Sequence, residues 1–378
     1  MNEQLATLST LLIYGSIASY VVAMVGFAVD LSGFGKGADP NRRRKAVGIA
    51  MSTSWLGLIF HVLAVVLRGI AADRVPWANM YEFTLMSTMF TMAVFLVVNR
   101  YKDIRYLGVL VALINVVALF VAILLLYVGA EGVQPALQSY WLVIHVSVAT
   151  LSTGLFCVGA AMSVLQLIRG RDERRRAGHR AEGASDEGPA GADGDGSRGA
   201  AHGGSGGAVP AAGAAGRASS LATRSASTAA RSAEPETVPA GAGVAAVETI
   251  DVGGEEPEVL PARATFWSRL LDALPSAISL ERLAYRLNAV GLVGWTFVLI
   301  TGAIWAEYAW GRAWGWDPKE VVTLVVWLIY AAYCHVRLTT GWNKRTFAYF
   351  SLAGFAALMF NYYGVNIFIN SLHSYSGI

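Results

Sequence analysis

The sequence predicts an all-α, polytopic membrane helix bundle of about eight transmembrane helices, and three observations predict it. The 378-residue chain is 55% hydrophobic and only 15% charged, with a mean hydropathy of +0.48, a balance that soluble domains rarely tolerate. Its apolar residues gather in eight long runs, and its basic residues gather in every second loop between them.

The runs are 9–29, 47–70, 83–99, 106–128, 140–168, 287–309, 321–338 and 346–370. At 1.5 Å per residue each is long enough to span a bilayer core. The first has no basic stretch before it and no small-residue cleavage site after it, so it reads as a retained span and not a removed leader. One set of alternate loops holds Arg42, Arg43, Arg44 and Lys45, then Arg100, Lys102 and Arg105, then Arg169, Arg171, Arg174, Arg175 and Arg176, then Arg337, Lys344 and Arg345. The opposite loops hold Arg74, Arg312 and Lys319, with Arg68 at the margin. The basic set is expected in the cytoplasm. In the cell membrane this places both termini and the loop that follows the sixth run on the extracytoplasmic side. Cys157 and Cys334 lie far apart in apolar runs and no Cys-x-x-Cys exists, so neither a disulfide framework nor a thiol-redox motif is supported.

Composition divides the chain into three. Residues 1–171 carry five spans, and 172–262 form a Gly-, Ala- and Ser-rich stretch with no aromatic residue. Such a stretch cannot bury enough surface to offset chain entropy and is expected to be a disordered cytoplasmic linker, with His179 and His202 solvated within it. Residues 263–378 carry the remaining three spans. Ahead of them, 264–286 sets Phe266, Trp267, Leu270, Leu271, Leu280, Leu283 and Tyr285 at helical spacing among arginines. Two readings fit this segment: an interfacial helix on the anionic inner leaflet, or ordinary packing against the bundle.

Trp305, Trp310, Trp314 and Trp316 fall within twelve residues, separated by Gly311, Ala313 and Gly315. Interfacial anchoring accounts for the isolated Trp77, Trp141 and Trp342, but four clustered indoles exceed what anchoring needs. Backed by small residues, they suit a flat apolar surface for a planar ligand. Asp317-Pro318-Lys319-Glu320 reads as a helix start, with Asp at the N-cap, Pro first and Glu third. That role does not exclude a second one in orienting a ligand group.

Topology sorts the histidines. His145 lies about 7–8 Å below the outer end of the fifth span, and His373 lies just beyond the outer end of the eighth. Two neutral imidazoles at one depth beside an indole cluster form a credible axial pair for haem iron. His335 sits near the inner end of the seventh span, whereas His61 sits about 21 Å above the inner end of the second. Their difference in depth, on the order of 15 Å, argues against both gripping one haem. His335 is the better intramembrane ligand, and His61 reads as a hydrogen-bonded bundle residue. Arg68, Arg74, Arg312 and Lys319 are the outer cations available to carboxylates, with snorkelling to headgroups the alternative for each.

The run Trp310-Gly-Arg-Ala-Trp314-Gly-Trp316-Asp317-Pro-Lys-Glu320 resembles the WWD signature of haem-handling membrane proteins. Trp327-Leu-Ile-Tyr-Ala-Ala-Tyr-Cys-His335, Gly364-Val-Asn366-Ile-Phe-Ile-Asn-Ser-Leu-His373-Ser-Tyr, Ser139-Tyr-Trp141-Leu-Val-Ile-His145 and Asn79-Met-Tyr81-Glu82 are similar to the CcsA/ResC branch, whose actinobacterial members are commonly called CcsB. The similarity covers nearly the whole chain except the linker. It implies System II cytochrome c maturation: haem b, as substrate and bound ligand, is carried to the outer surface and joined to apocytochrome c. The implied partners are a ResB-type membrane protein, apocytochrome c and, indirectly, a thiol-reducing protein, with no nucleic acid. By position, His145 and His373 match the family's external axial histidines and His335 its intramembrane histidine, while His61 has no secure counterpart. Two alternatives remain: a haem exporter without ligation activity, similar to CcmC, and an unrelated transporter with a Trp-rich gate.

Overall fold

The computed structural model describes residues 3–32, 40–129, 138–186, 271–339 and 341–372, and their regular structure is helical throughout. In chain order the helices are α1 (Glu3–Ser32), α2 (Pro40–Ala72), α3 (Met80–Tyr101), α4 (Gly108–Leu125, after a 3₁₀ turn Arg105–Leu107), α5 (Tyr140–Asp186), α6 (Ala277–Trp310), α7 (Pro318–Leu338), α8 (Lys344–Met359) and α9 (Val365–Phe368). Helices α1 to α7 are each long and apolar enough to cross a membrane. The predicted eighth span is α8 and α9 joined through a π-helical turn, Phe360–Gly364. Val290, Val293, Phe297 and Ile300 leave more than half of their surface uncovered along one face of α6. An integral membrane protein turns such a face to lipid, where it meets no desolvation penalty.

Small residues set the closest helix pairs, since in lipid it is close packing that holds helices together. Gly26 of α1 lies against Ala46 and Ala50 of α2, and Gly57 of α2 lies against Tyr20. The Ser9 hydroxyl of α1 donates to the Ala64 carbonyl at 2.8 Å. Helix α6 repeats the device against α5, with Gly291 under Phe156, Gly294 under Ser152 and Gly302 under His145. The predicted five-span and three-span groups therefore close on one another across α5 and α6, within one compact unit. Its core centres on Tyr20, Phe27 and Phe95 in one part and on Phe156 stacked 3.8 Å from Tyr330 in another.

Two segment boundaries move. Residues 172–186, read from sequence as the start of the linker, are the last turns of α5, so His179 is a helix residue. Local ion pairs extend the helix: Asp172 meets Arg169 at 3.1 Å and Arg176 at 2.9 Å. The rest of the expected linker, with His202, lies outside the described residues. Of the segment 264–286, residues 264–270 also lie outside them, while 277–286 are the first turns of α6 itself, capped by Ser276. Leu280 and Ala284 are buried there, and Glu281 accepts from Arg337 Nε at 2.5 Å. Packing against the bundle describes 277–286, while residues 271–273 are helical and set apart from α6 by a break at 274–276.

Candidate functional site

The tryptophan-rich loop is held at both ends by backbone geometry that its sequence announces. Helix α6 ends at Gly311, which takes the left-handed conformation (φ 68°) that a helix C-cap requires. Helix α7 begins with the expected capping box at Asp317, with Pro318 following it and Glu320 reaching back. One Glu320 oxygen accepts from the amides of Gly315 (2.8 Å) and Asp317 (3.1 Å). Between those amides Trp316 is left-handed (φ 57°), a costly conformation for a bulky residue that persists only where its surroundings enforce it. Asp317 does more than cap: one carboxylate oxygen accepts from the Lys319 amide at 3.4 Å and the other from the Leu372 amide at 3.0 Å. The loop is thereby tied to the residue just before His373.

Below the loop lies a cavity whose empty space, counted into the open solvent at its mouth, is about 1110 Å³. It descends along α6 from Trp310 to Trp295, a rise of about 22 Å. His145 of α5 lines it. The His145 Nδ1 lies 2.9 Å from the Val298 carbonyl, a partner that can only accept. Nδ1 must therefore carry the proton, which leaves Nε2 as a free lone pair, the state a metal ligand needs. The ring stacks on Trp305 at 6.4 Å and 21°. Gly302 makes room for it, since a Cβ there would stand 2.8 Å from Cε1.

The four indoles are not one flat floor but two edge-to-face pairs. Trp305 and Trp310 meet at 4.8 Å and 65°, and Trp314 and Trp316 at 5.8 Å and 88°. Trp305, Trp310 and Trp314 line the cavity, whereas Trp316 is outside its lining and is 71% exposed. Asp317 is buried beneath the loop. His335 is exposed on the surface of α7, about 25 Å down the helix from Pro318. His61 is fully buried in the first core, its Nδ1 3.4 Å from the Tyr20 hydroxyl. Neither of these two lines the cavity. His373 lies outside the described residues.

The structure also sorts the outer cations. Arg68, fully buried, donates from Nε to Glu82 at 3.0 Å and from its terminal nitrogen to the carbonyls of Val128 and Gly129. Arg74 donates to both Glu82 oxygens, at 2.7 and 3.1 Å. Glu82 is the third residue of α3 and returns a bond to the Ala78 amide at 2.9 Å, while Asn79 caps the helix. Arg312 stands 3.6 Å from Glu320 and over the Trp310 ring. Of these four cations it is Lys319 that lines the cavity.

Several cavity residues escaped sequence reasoning. Trp77, read as an isolated anchor, lines the cavity with its Nε1 buried and unpartnered, and Trp141 packs into the same outer cluster. Trp342 remains exposed, as an anchor would be. Tyr362 stacks on Phe83 at 4.3 Å and donates to the Met80 carbonyl, and Asn361 donates to Thr323 Oγ1 at 3.0 Å. The π turn was the signal available only in three dimensions, and such turns concentrate at functional sites.

With this geometry in view, the family described as cytochrome C assembly protein matches residues 77–373. The chain is similar to the cytochrome c biogenesis protein CcsA of Nostoc punctiforme, 32% identical over 334 residues, covering 86% of this chain and 88% of the relative. It is also similar to the CcsA of Gloeobacter violaceus, 31% identical over 315 residues, covering 82% of this chain and 80% of the relative. Among solved structures it shares a fold with the cytochrome c heme lyase CcmF at a TM-score of 0.54 and 14% identity, covering 95% of this chain and 46% of that one.

Proposed function

The chain belongs to the cytochrome c assembly protein family, in its CcsA-type branch, and on that premise we propose that it brings haem b to the extracytoplasmic face and joins it to the Cys-x-x-Cys-His segment of apocytochrome c. It does so as one subunit of a System II synthase, beside a ResB-type membrane partner, with a thiol-reducing protein keeping the client cysteines reduced. The observation that carries this reading is His145: its Nδ1 is engaged by Val298, its ring is stacked on Trp305, and its remaining nitrogen is free to ligate in an apolar cavity.

The residues present fit a large planar substrate with a metal at its centre. Indoles wall the cavity, one imidazole is prepared as a ligand, and two buried polar atoms of the lining, Trp77 Nε1 and Asn361 Oδ1, have no protein partner. In this scheme His145 takes the iron from one face and His373 from the other, and the Asp317–Leu372 bond ties the residue before His373 to the loop. His335, exposed on α7, holds haem deeper in the membrane together with a group from the partner. His61 remains a bundle residue. Each client thiol adds its sulfur to the inner vinyl carbon and its hydrogen to the outer one, so no oxidant is needed, and the client histidine displaces one of the two ligands. Acceleration comes from holding thiols and vinyls in register.

The test is co-expression with the ResB-type partner and a reporter apocytochrome, read by the absorption spectrum of the purified complex and by covalent haem on the reporter. A bis-imidazole band, lost when His145 and His373 are both changed to Ala, together with covalent haem supports the proposal. A band without covalent haem returns the chain to the exporter reading, and a band insensitive to both substitutions overturns the ligand assignment.

A further inference from the structure

The last span carries a break whose consequence is local and chemical. In an α-helix, residues five apart diverge by about 140°, since each step turns about 100°. Across Phe360–Gly364 the Val365 amide instead donates to the Phe360 carbonyl, five residues back, so five residues complete close to a full turn. Asn361 and Asn366 are thereby brought to one face, and both line the cavity. Asn366 Oδ1 accepts from Lys319 Nζ at 2.6 Å. Lys319 sits in the first turn of the 21-residue α7, where the helix dipole adds positive potential. Its ammonium lies over the Tyr362 ring at 5.8 Å. An ammonium carries three donors, and Asn366 accounts for one. Arg68, Arg74 and Arg312 are engaged by Glu82 and Glu320. Asn361, 95% buried in the same lining, has an Oδ1 with no hydrogen-bond partner.

We propose that Lys319, held by Asn366 across the π turn, is the specificity residue that takes a carboxylate of the porphyrin substrate, and that Asn361 Oδ1 accepts from the water or carboxylic O–H beside it. The inference rests on the haem reading above and adds which end of the macrocycle enters first: the propionate edge points to the α7–α9 wall, and the vinyl edge is left toward the open mouth. An anionic group is drawn there by Lys319, because the lining's one carboxylate, Glu320, is engaged by Arg312 and by the Gly315 and Asp317 amides, so the contact discriminates among porphyrins by their carboxylates.

The experiment is a titration of the purified complex, wild type and Lys319→Gln, with haem and with the iron porphyrin whose two propionates are methyl esters. The wild type is expected to bind haem about tenfold or more tighter than the diester, the range of a charge-assisted hydrogen bond. Lys319→Gln should lose that preference by weakening haem alone, with diester binding unchanged, and Asn366→Leu should lose part of it. Lys319→Arg should keep most of it. Equal loss of both porphyrins in Lys319→Gln would mark a structural role and overturn the inference. So would a wild type that binds both equally. A wild type that takes up neither porphyrin overturns the haem reading itself.

Discussion

His145 and His335 stand at opposite ends of the same helical bundle and in opposite surroundings. The first is enclosed: Val298 holds one ring nitrogen, Trp305 covers a face, and Gly302 clears the space its ring occupies. The second stands exposed on α7, on a face with Leu328 and Leu338, which are exposed too. A residue whose tautomer and orientation are set by its neighbours is prepared before any ligand arrives. A polar residue on an outward membrane face is prepared only when another protein covers it. On the proposed haem reading, the contrast separates a ligand that this chain prepares itself from one that a partner completes.

The difference can be broken in four ways, from the largest effect to the smallest. Changing His145 to Ala should abolish the external bis-imidazole band, whereas His335→Ala should reduce the amount of haem recovered and leave the band's position alone; spectra of the two purified complexes decide it. Identical spectra would erase the distinction. Changing Glu82 to Ala should destabilise the outer end by about 3–5 kcal/mol, because it removes the carboxylate that faces two guanidinium groups, one fully buried. Thermal unfolding in detergent measures that loss, and external haem should fall with it while any haem at His335 persists. Gly302→Ala forces the His145 ring to move and should weaken external ligation by about 1–3 kcal/mol, the usual cost of overpacking, read as a titration shift. Trp316→Gly relieves a left-handed backbone and should leave unfolding unchanged or raise its midpoint slightly. Covalent haem on the reporter would then fall, if it falls at all, through the loss of an exposed indole and not through folding.

Much of the fold was legible because its signals are local. Eight apolar runs appear as helices at the expected places, and Asp317-Pro318-Lys319-Glu320 starts α7 as its residue types require. The errors came where the physics is not local. Helix α5 runs on to Asp186, with ion pairs between its turns as far as Arg176, through a stretch too polar for an apolar-run reading to include. Trp77 looked like a lone anchor because nothing near it in sequence reveals Trp305 and Trp310 beside it. The four outer cations looked equivalent until Glu82, buried by its position at the start of α3, was seen to engage two of them.

By itself, then, the sequence determined that this is a helical membrane protein, where its spans lie, and which loop and histidines deserved attention. Hydropathy over twenty residues and a helix cap over four are properties that a linear chain displays. Only the tertiary structure decided that Val298 holds one ring nitrogen of His145, that the indoles meet edge to face, and that Lys319 lines the cavity. Those outcomes depend on Val298, Gly302, Tyr362 and Asn366. Such residues come from α6, the π turn and α9, and that turn rotates the last of them onto the cavity wall.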